Sequence, residues 1–183
     1  MKLQHRHEKI SGWFNFADIY KQMVNQHDKG HFVEIGTFFG KSASFMGVEI
    51  YNSKKPIKFD TIDTFQGSPT ELDGKHQVFK NTDVESIARN NLKGLPVNVI
   101  KGNSTDIAKK YKNGSLDFVF IDGSHEYEDV KKDVKTWLKK VKKGGYIGGH
   151  DYTDHVGVNK AVKELLGDCP ASVTSWLYKK VWQ

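Results

Sequence analysis

Along most of the chain, short runs of apolar and β-branched residues alternate with stretches whose apolar positions recur at helical spacing. That alternation predicts a parallel sheet with crossover helices. The predicted strands are His31 to Ile35, Lys58 to Ile62, Val97 to Lys101, Leu116 to Ile121 and Tyr146 to Gly149. Nearly all of their central residues are apolar or β-branched, as strands covered on both faces require. Between them, Thr82-Asp-Val-Glu85 has the form of a capping box opening a helix that turns Ile87, Ala88 and Leu92 inward and stops at Gly94. Another helix begins near Asn103 or Ser104, and Tyr127 to Lys143 carries Tyr127, Val130, Val134, Trp137, Leu138 and Val141 on one face. Before the first strand, Trp13, Phe14, Phe16, Ile19, Tyr20 and Met23 form the stripe of an N-terminal helix packed over the sheet edge. Val158 to Leu166 reads as a last helix, and the β-rich tail Ser172 to Trp182 has room for one or two further strands. The fold class is α/β: a doubly wound, mostly parallel sheet of six to seven strands with helices on both faces.

The stretch Gln66 to Asn81 lacks periodicity and is rich in Gly, Pro, Thr and charge, so it is expected as a long surface loop after the second strand, where lids are found. A chain of 183 residues closes one substantial core and is short for two, so residues 1–183 are expected to form one domain. Its single cysteine, Cys169, leaves no disulfide framework, and the sequence contains no Cys/His zinc spacing. The start MKLQHRHEKI is charged where a signal peptide would turn apolar, and no apolar run approaches a membrane span. A cytoplasmic protein without a membrane partner is expected.

The 28 Lys+Arg against 22 Asp+Glu leave a formal net charge of +6, which favours anionic partners in general and identifies none. Much of the excess belongs to the helix from Tyr127, where Lys131, Lys132, Lys135, Lys139 and Lys142 fall outside the apolar face. A solvated face explains them better than a nucleic-acid stripe, because no aromatic and basic recognition element accompanies them. The expected partner is a small molecule, with a homodimer left open.

In a doubly wound sheet, ligands bind beyond the carboxyl ends of the strands, so the residues after each strand matter most. The first strand runs into Glu34-Ile-Gly36-Thr37-Phe38-Phe-Gly40-Lys-Ser42. Gly36 lets the backbone turn tightly against a ligand, and Gly40 lets the following helix approach the strand. A dinucleotide-binding turn has this shape but carries glycine where this chain has Glu34. A carboxylate there would repel a pyrophosphate, whereas the methionine half of S-adenosylmethionine brings an ammonium and a sulfonium that favour it. Ser42 and the amides at the helix start can take that ligand's carboxylate. The competing reading is a plain strand-to-helix turn.

The second strand ends in Ile62-Asp63-Thr64-Phe65, placing Asp63 where it can accept hydrogen bonds from both hydroxyls of an adenosine ribose, or cap a turn. The third ends in Gly102-Asn103-Ser104, small polar residues suited to an adenine edge or to a helix N-cap. The fourth ends in Asp122-Gly-Ser124-His125 and the fifth in Gly148-Gly-His150-Asp151-Tyr152, and right-handed crossovers bring both ends to the same edge as Gly36 and Asp63. Asp122, His150 and Asp151 therefore converge from distant positions. Such a trio can hold a hard divalent cation that lowers the pKa of a substrate hydroxyl. It can equally support metal-free general-base catalysis by His150 or His125, with a carboxylate orienting the ring.

Together these segments resemble the class I S-adenosylmethionine-dependent methyltransferases, in particular small bacterial and phage members related to sugar and catechol-type O-methyltransferases, over roughly Phe32 to Tyr152. The resemblance implies a Rossmann-like sheet of seven strands with the last antiparallel, and S-adenosylmethionine lying across the ends of strands one to four. On it, Glu34, Gly36, Thr37, Phe38, Gly40, Ser42, Asp63, Thr64, Gly102, Asn103, Ser104 and Asp122 are expected around the cofactor, with Asp122, His150 and His125 in catalysis. In metal-dependent relatives an Asp after strand four and an acidic-amide pair after strand five hold Mg2+ or a similar ion. Asp122 matches the first position and His150-Asp151 occupies the second, so the site carries over in place but not in residue type. The implied activity is methyl transfer to a hydroxyl oxygen of a small molecule, a sugar or related metabolite; the alternatives are a nucleic-acid methyltransferase or binding protein, and a non-catalytic S-adenosylmethionine-binding module in which His150 and Asp151 serve only as turn residues.

Overall fold

A computed structural model describes residues 2–67, 78–172 and 174–182. Among them, β1 (Gly30–Ile35), β2 (Ile57–Asp63), β3 (Asn98–Lys101), β4 (Leu116–Ile121), β5 (Val141–Gly149) and β6 (Trp176–Lys179) form one sheet in the order β3-β2-β1-β4-β5-β6. The first five strands are parallel and β6 runs antiparallel beside β5, so the sheet has six of the seven strands that the resemblance implies. The order reverses at β1, which lies between β2 and β4 and opens a crevice above their carboxyl ends. Register keeps those ends level: Ile35 pairs with Ile62 and Ile121, and Ile121 pairs with Gly149. Gly36, Asp63, Asp122 and His150 thus leave the sheet at one height.

The helices are α1 (Ala17–Gln26), α2 (Lys41–Ser53), a short α3 (Val78–Asn81), α4 (Val84–Leu92), a short α5 (Ser104–Ile107), α6 (Tyr127–Leu138) and α7 (Val156–Leu166). Alternate side chains along each strand serve opposite faces. Phe32, Phe118 and Phe120 pack with Phe16, Tyr20 and Met23 of the α1 region and with Phe45 and Met46 of α2. Val33, Val119 and Ile121 pack on the other face with Val134 and Trp137 of α6 and Val158 and Val162 of α7. Each fully buried large side chain contributes about 1.5–3 kcal/mol of transfer free energy, so the two layers clamp the sheet whose edge carries the site.

Several boundaries differ from the pattern. The helix expected over Tyr127 to Lys143 ends at Leu138, and Val141 begins β5 by pairing with Leu116. Val141 is buried in either conformation, so periodicity alone assigned it to the helix. A register shift between Leu116 and Phe118, with Gly144 at φ +81° opposite, lets β5 start five residues before Tyr146. The α4 cap is Asp83 and not Thr82: its carboxylate accepts from the Ser86 amide at 3.0 Å, while Glu85 pairs with Arg89 and Lys101. Val84, Ala88 and Leu92 form the buried face of α4, and Ile87 is exposed. Trp13 and Phe14 precede α1, and Trp13 is 70% exposed. Among the described residues the tail supplies one strand. Within the expected lid over Gln66 to Asn81, residues 68–77 lie outside the described residues. Among the described residues no helix is long and apolar enough to cross a membrane.

Candidate active site

The turn after β1 is built from backbone contacts. Gly36, at φ +97°, donates its N–H to the Ile62 carbonyl at 2.8 Å, and a Cβ there would collide with the Asp122 carbonyl. The close approach of the Asp122 carbonyl therefore demands glycine here, at a turn that also lines the cleft. Phe38, at φ +46°, is a bulky residue in left-handed backbone, a conformation that costs about 1–3 kcal/mol. Asp63 stabilises it: one carboxylate oxygen accepts from the Thr37 and Phe38 amides at 2.7 and 2.8 Å, the other from the Phe65 amide at 2.7 Å. A carboxylate has about four acceptor positions, so Asp63 keeps about one for a ligand, fewer than the two ribose hydroxyls expected. Gly40, at φ +83°, starts α2 against Leu92 and does not line the cleft.

Glu34 also departs from expectation. Its side chain is fully buried beneath the turn, where it accepts from the Tyr20 hydroxyl at 2.6 Å and the Thr61 hydroxyl at 2.7 Å. Thr61 in turn meets Thr37 at 2.6 Å. Burial pushes the Glu34 pKa up to about 7, against the pull of the hydrogen bonds from Tyr20, Ser42 and Thr61. Glu34 thus belongs to the support of the turn, with no face on the cleft. Ser42 reaches the cleft, but its hydroxyl is engaged with Glu34.

On the β3 side, Gly102 donates to the Asp63 carbonyl at 2.9 Å and Asn103 caps α5 by accepting from the Thr105 amide at 3.0 Å. The Ser104 hydroxyl donates to Asp133 at 2.6 Å and accepts from Trp137 Nε1 at 2.7 Å, so it is committed to α6. Thr64, Gly102, Asn103 and Ser104 all line the cleft.

Across the cleft, Asp122, His150 and Asp151 place ligand atoms within 4.8 Å of one another. His150 is 9% exposed; its Nδ1 lies 3.4 Å from Asp122 and 3.1 Å from Asp151. Its Nε2 lies 2.9 Å from Asn15 Oδ1 and 3.0 Å from Thr174 Oγ1. Burial opposes a charge on the ring, but the hydrogen bonds to Asp122 and Asp151 outweigh it and raise the pKa to about 10. The two carboxylates thus favour the imidazolium form of His150. Asp151, despite burial, is held well below the usual carboxylate range by His125 and His150. It sits at φ +60° and divides its carboxylate, one oxygen toward His150 and the other 2.9 Å from His125 Nε2.

The donor set fits a divalent cation. Nδ1 of His150 faces the gap between two carboxylates while Nε2 donates outward, the orientation a ligating histidine needs. A cation held there would use Nδ1 in its unprotonated form. Beside Asp122, His150 and Asp151 is a void of about 10 Å³, about the size of one water, and the buried Trp176 Nε1 on its wall has no acceptor among the described residues.

The whole forms one cleft of about 970 Å³, a size that suits a nucleoside-sized ligand beside a second small molecule. Its walls carry Asp63, Asp122, Asp129, Asp133, Asp151 and Asp154 against Lys41 and Lys132, an acidic lining on a chain of net positive charge. Trp13 and Phe14 border it, with the segment held by Lys41 Nζ donating to the Gly12 carbonyl at 2.9 Å. Sequence reasoning missed Asn15, Thr174 and His155. Asn15 and Thr174 lie 135 and 24 residues from His150, and no motif links them.

Residues 33–152 match the methyltransferase domain family. Protein R132 of Acanthamoeba polyphaga mimivirus is 34% identical over 163 residues, 84% of this chain and 67% of that protein. Protein y4gI of Sinorhizobium fredii is 22% identical over 149 residues, 80% of this chain and only 16% of the relative. Among solved structures, the O-methyltransferase NovP superposes with a TM-score of 0.72 at 19% identity, covering 91% of this chain and 79% of NovP. The calicheamicin methyltransferase CalS11 gives 0.62 at 14% identity, covering 89% and 76%. The chain belongs to the methyltransferase domain family and has the class I S-adenosylmethionine-dependent methyltransferase fold.

Proposed function

We propose that this protein transfers the methyl group of S-adenosylmethionine to a hydroxyl oxygen of a small molecule, a sugar or related metabolite. The observation that carries the reading is one cleft with two unlike halves. The Gly36 turn, Asp63 and Gly102 to Ser104 lie on one side, and the Asp122, His150 and Asp151 cluster lies on the other. The first half suits an adenosine and its amino-acid tail, and the acidic lining suits the sulfonium and ammonium of the donor. Two of the structural neighbours are named for oxygen: NovP is an O-methyltransferase, and another CalS11 structure is described as a TDP-rhamnose 3'-O-methyltransferase.

The donor supplies an electrophilic methyl carbon on sulfur. The acceptor oxygen forms the new C–O bond as the C–S bond breaks, and S-adenosylhomocysteine departs. The acceptor proton passes to Asp122, which faces the cleft. His150 is a positioning residue: as an imidazolium between Asp122 and Asp151 it fixes both carboxylates. Asp122, His150 and Asp151 are also the residues that would hold a divalent cation, which would supply Lewis-acid activation of the hydroxyl.

Calorimetric titration with S-adenosylmethionine tests the donor half, with Asp63→Ala as the comparison. Binding that weakens at least tenfold in Asp63→Ala is expected. Incubation with methyl-labelled donor and a panel of sugars, nucleotide sugars and phenols then tests the acceptor half. A wild type that binds no donor, with or without Mg2+, would overturn the proposal.

A further inference from the structure

A second group of candidate ligands adjoins the first. His125, Asp151 and His155 each offer an atom within 4.8 Å of the others. They come from three places: the loop after β4, the turn after β5, and the residue capping α7. We propose that these three residues bind a borderline divalent transition metal of the Zn2+, Co2+ or Ni2+ type at the mouth of the cleft.

Three observations converge. The His125 and His155 rings stack at 3.9 Å with planes 19° apart, so both imidazoles stand beside one carboxylate, and a turn of one ring brings its nitrogen toward an ion held by the other two residues. The closeness is enforced by backbone: a Cβ on Gly157 would collide with the His125 carbonyl and lie 3.0 Å from the Tyr127 amide, so the start of α7 is pressed onto the loop carrying His125. Asp151 holds left-handed backbone, and its Oδ2 reaches His125 Nε2 at 2.9 Å while Oδ1 serves His150.

The donor chemistry selects the metal. Mg2+ demands near-octahedral oxygen ligation, whereas two imidazoles with one carboxylate are a set suited to Zn2+, Co2+ and Ni2+. All three residues line the cleft, so the remaining coordination positions face the acceptor half. Asp151 and His155 lie four residues apart, and the fold brings His125 to them from the end of β4. The site adds to the acceptor half of the methyl-transfer reading, but its test reads metal binding by itself.

The experiment is a Co2+ titration of chelator-stripped protein, following visible d–d absorption and stoichiometry by equilibrium dialysis. The wild type is expected to give an absorption band that excess Zn2+ bleaches and a hundredfold excess of Mg2+ leaves in place. His155→Ala is the deciding variant, since His155 lies outside the Asp122, His150 and Asp151 group and makes no side-chain cap bond to α7. Its Co2+ affinity is expected to fall at least tenfold, with His125→Ala falling alike. Unchanged affinity in His155→Ala, or displacement of Co2+ by equimolar Mg2+ in the wild type, would overturn the proposal. Donor titration on the same metal-free wild type keeps the two readings apart, because its failure removes the methyl-transfer reading and leaves the metal result standing.

Discussion

Gly36 and Asp122 meet backbone to backbone: the Asp122 amide donates to the Ile35 carbonyl at 2.7 Å, and the Asp122 carbonyl fills the space a side chain on Gly36 would need. The turn that shapes the donor half is thereby fixed to the strand end that carries the acceptor half. Gly36→Ala must break this contact, whereas Gly114→Ala, at φ +65° with open space around it, bears only backbone strain. Gly114→Ala is expected to cost about 1 kcal/mol and lower Tm by about 2–4 °C. Gly36→Ala is expected to cost at least about 3 kcal/mol. Thermal melts followed by circular dichroism decide it, and equal shifts would mean that the β1 turn yields without cost.

Glu34 gives a pH signature. Its folded pKa is about 7 against an ordinary value of 4.5, so below pH 4.5 it is protonated in both folded and unfolded chains and imposes no penalty. As pH rises from 4.5 to 7 the unfolded chain ionises first, and above 7 the full cost of about 3 kcal/mol weighs on the folded state. The stability of the wild type should therefore fall relative to Glu34→Gln between pH 5 and pH 8. Urea denaturation at those two values measures the difference, and a gap that does not change with pH would show that Glu34 titrates normally.

The strand ends were legible in the sequence because apolar runs followed by Gly, Asp or His mark where a buried strand surfaces. That logic located Gly36, Asp63, Asp122, His150 and Asp151 at one edge. It placed Glu34 against the cofactor, since alternation along a strand does not say which polar residue faces a ligand and which faces a helix. In the structure Tyr20 of α1 covers Glu34, and Leu92 of α4 meets Gly40. Val141 was misread for a related reason, its burial being common to helix and strand. Asn15 and Thr174 reach His150 through tertiary contacts alone, which leave no local pattern.

His150 is expected to couple cation binding to proton release. With a pKa near 10 its ring is protonated at pH 7.5, and a cation using Nδ1 must displace that proton. Binding of Mn2+ should release close to one proton per ion at pH 7.5 and tighten by about tenfold per unit between pH 7 and 9. Calorimetry in buffers of different ionisation enthalpy counts the protons. Binding with no release would place the ion away from His150.

Asn15 joins the N-terminal segment to the cluster, because its Oδ1 accepts from His150 Nε2 at 2.9 Å and from Thr174 Oγ1 at 3.0 Å. Asn15→Ala leaves the outward N–H of the ring with Thr174 alone and frees the ring to tilt away from Asp122 and Asp151. Loss of an outer hydrogen bond to a ligating histidine costs about 10–100-fold in metal affinity, so Mn2+ binding should weaken by that factor. Asn15 is itself exposed, and its removal should change stability by less than about 1 kcal/mol. Asn15→Asp retains an acceptor at the same place and should restore most of the affinity. Manganese titration followed by electron paramagnetic resonance measures all three proteins. Equal affinity in wild type and Asn15→Ala would show that Thr174 alone orients the ring.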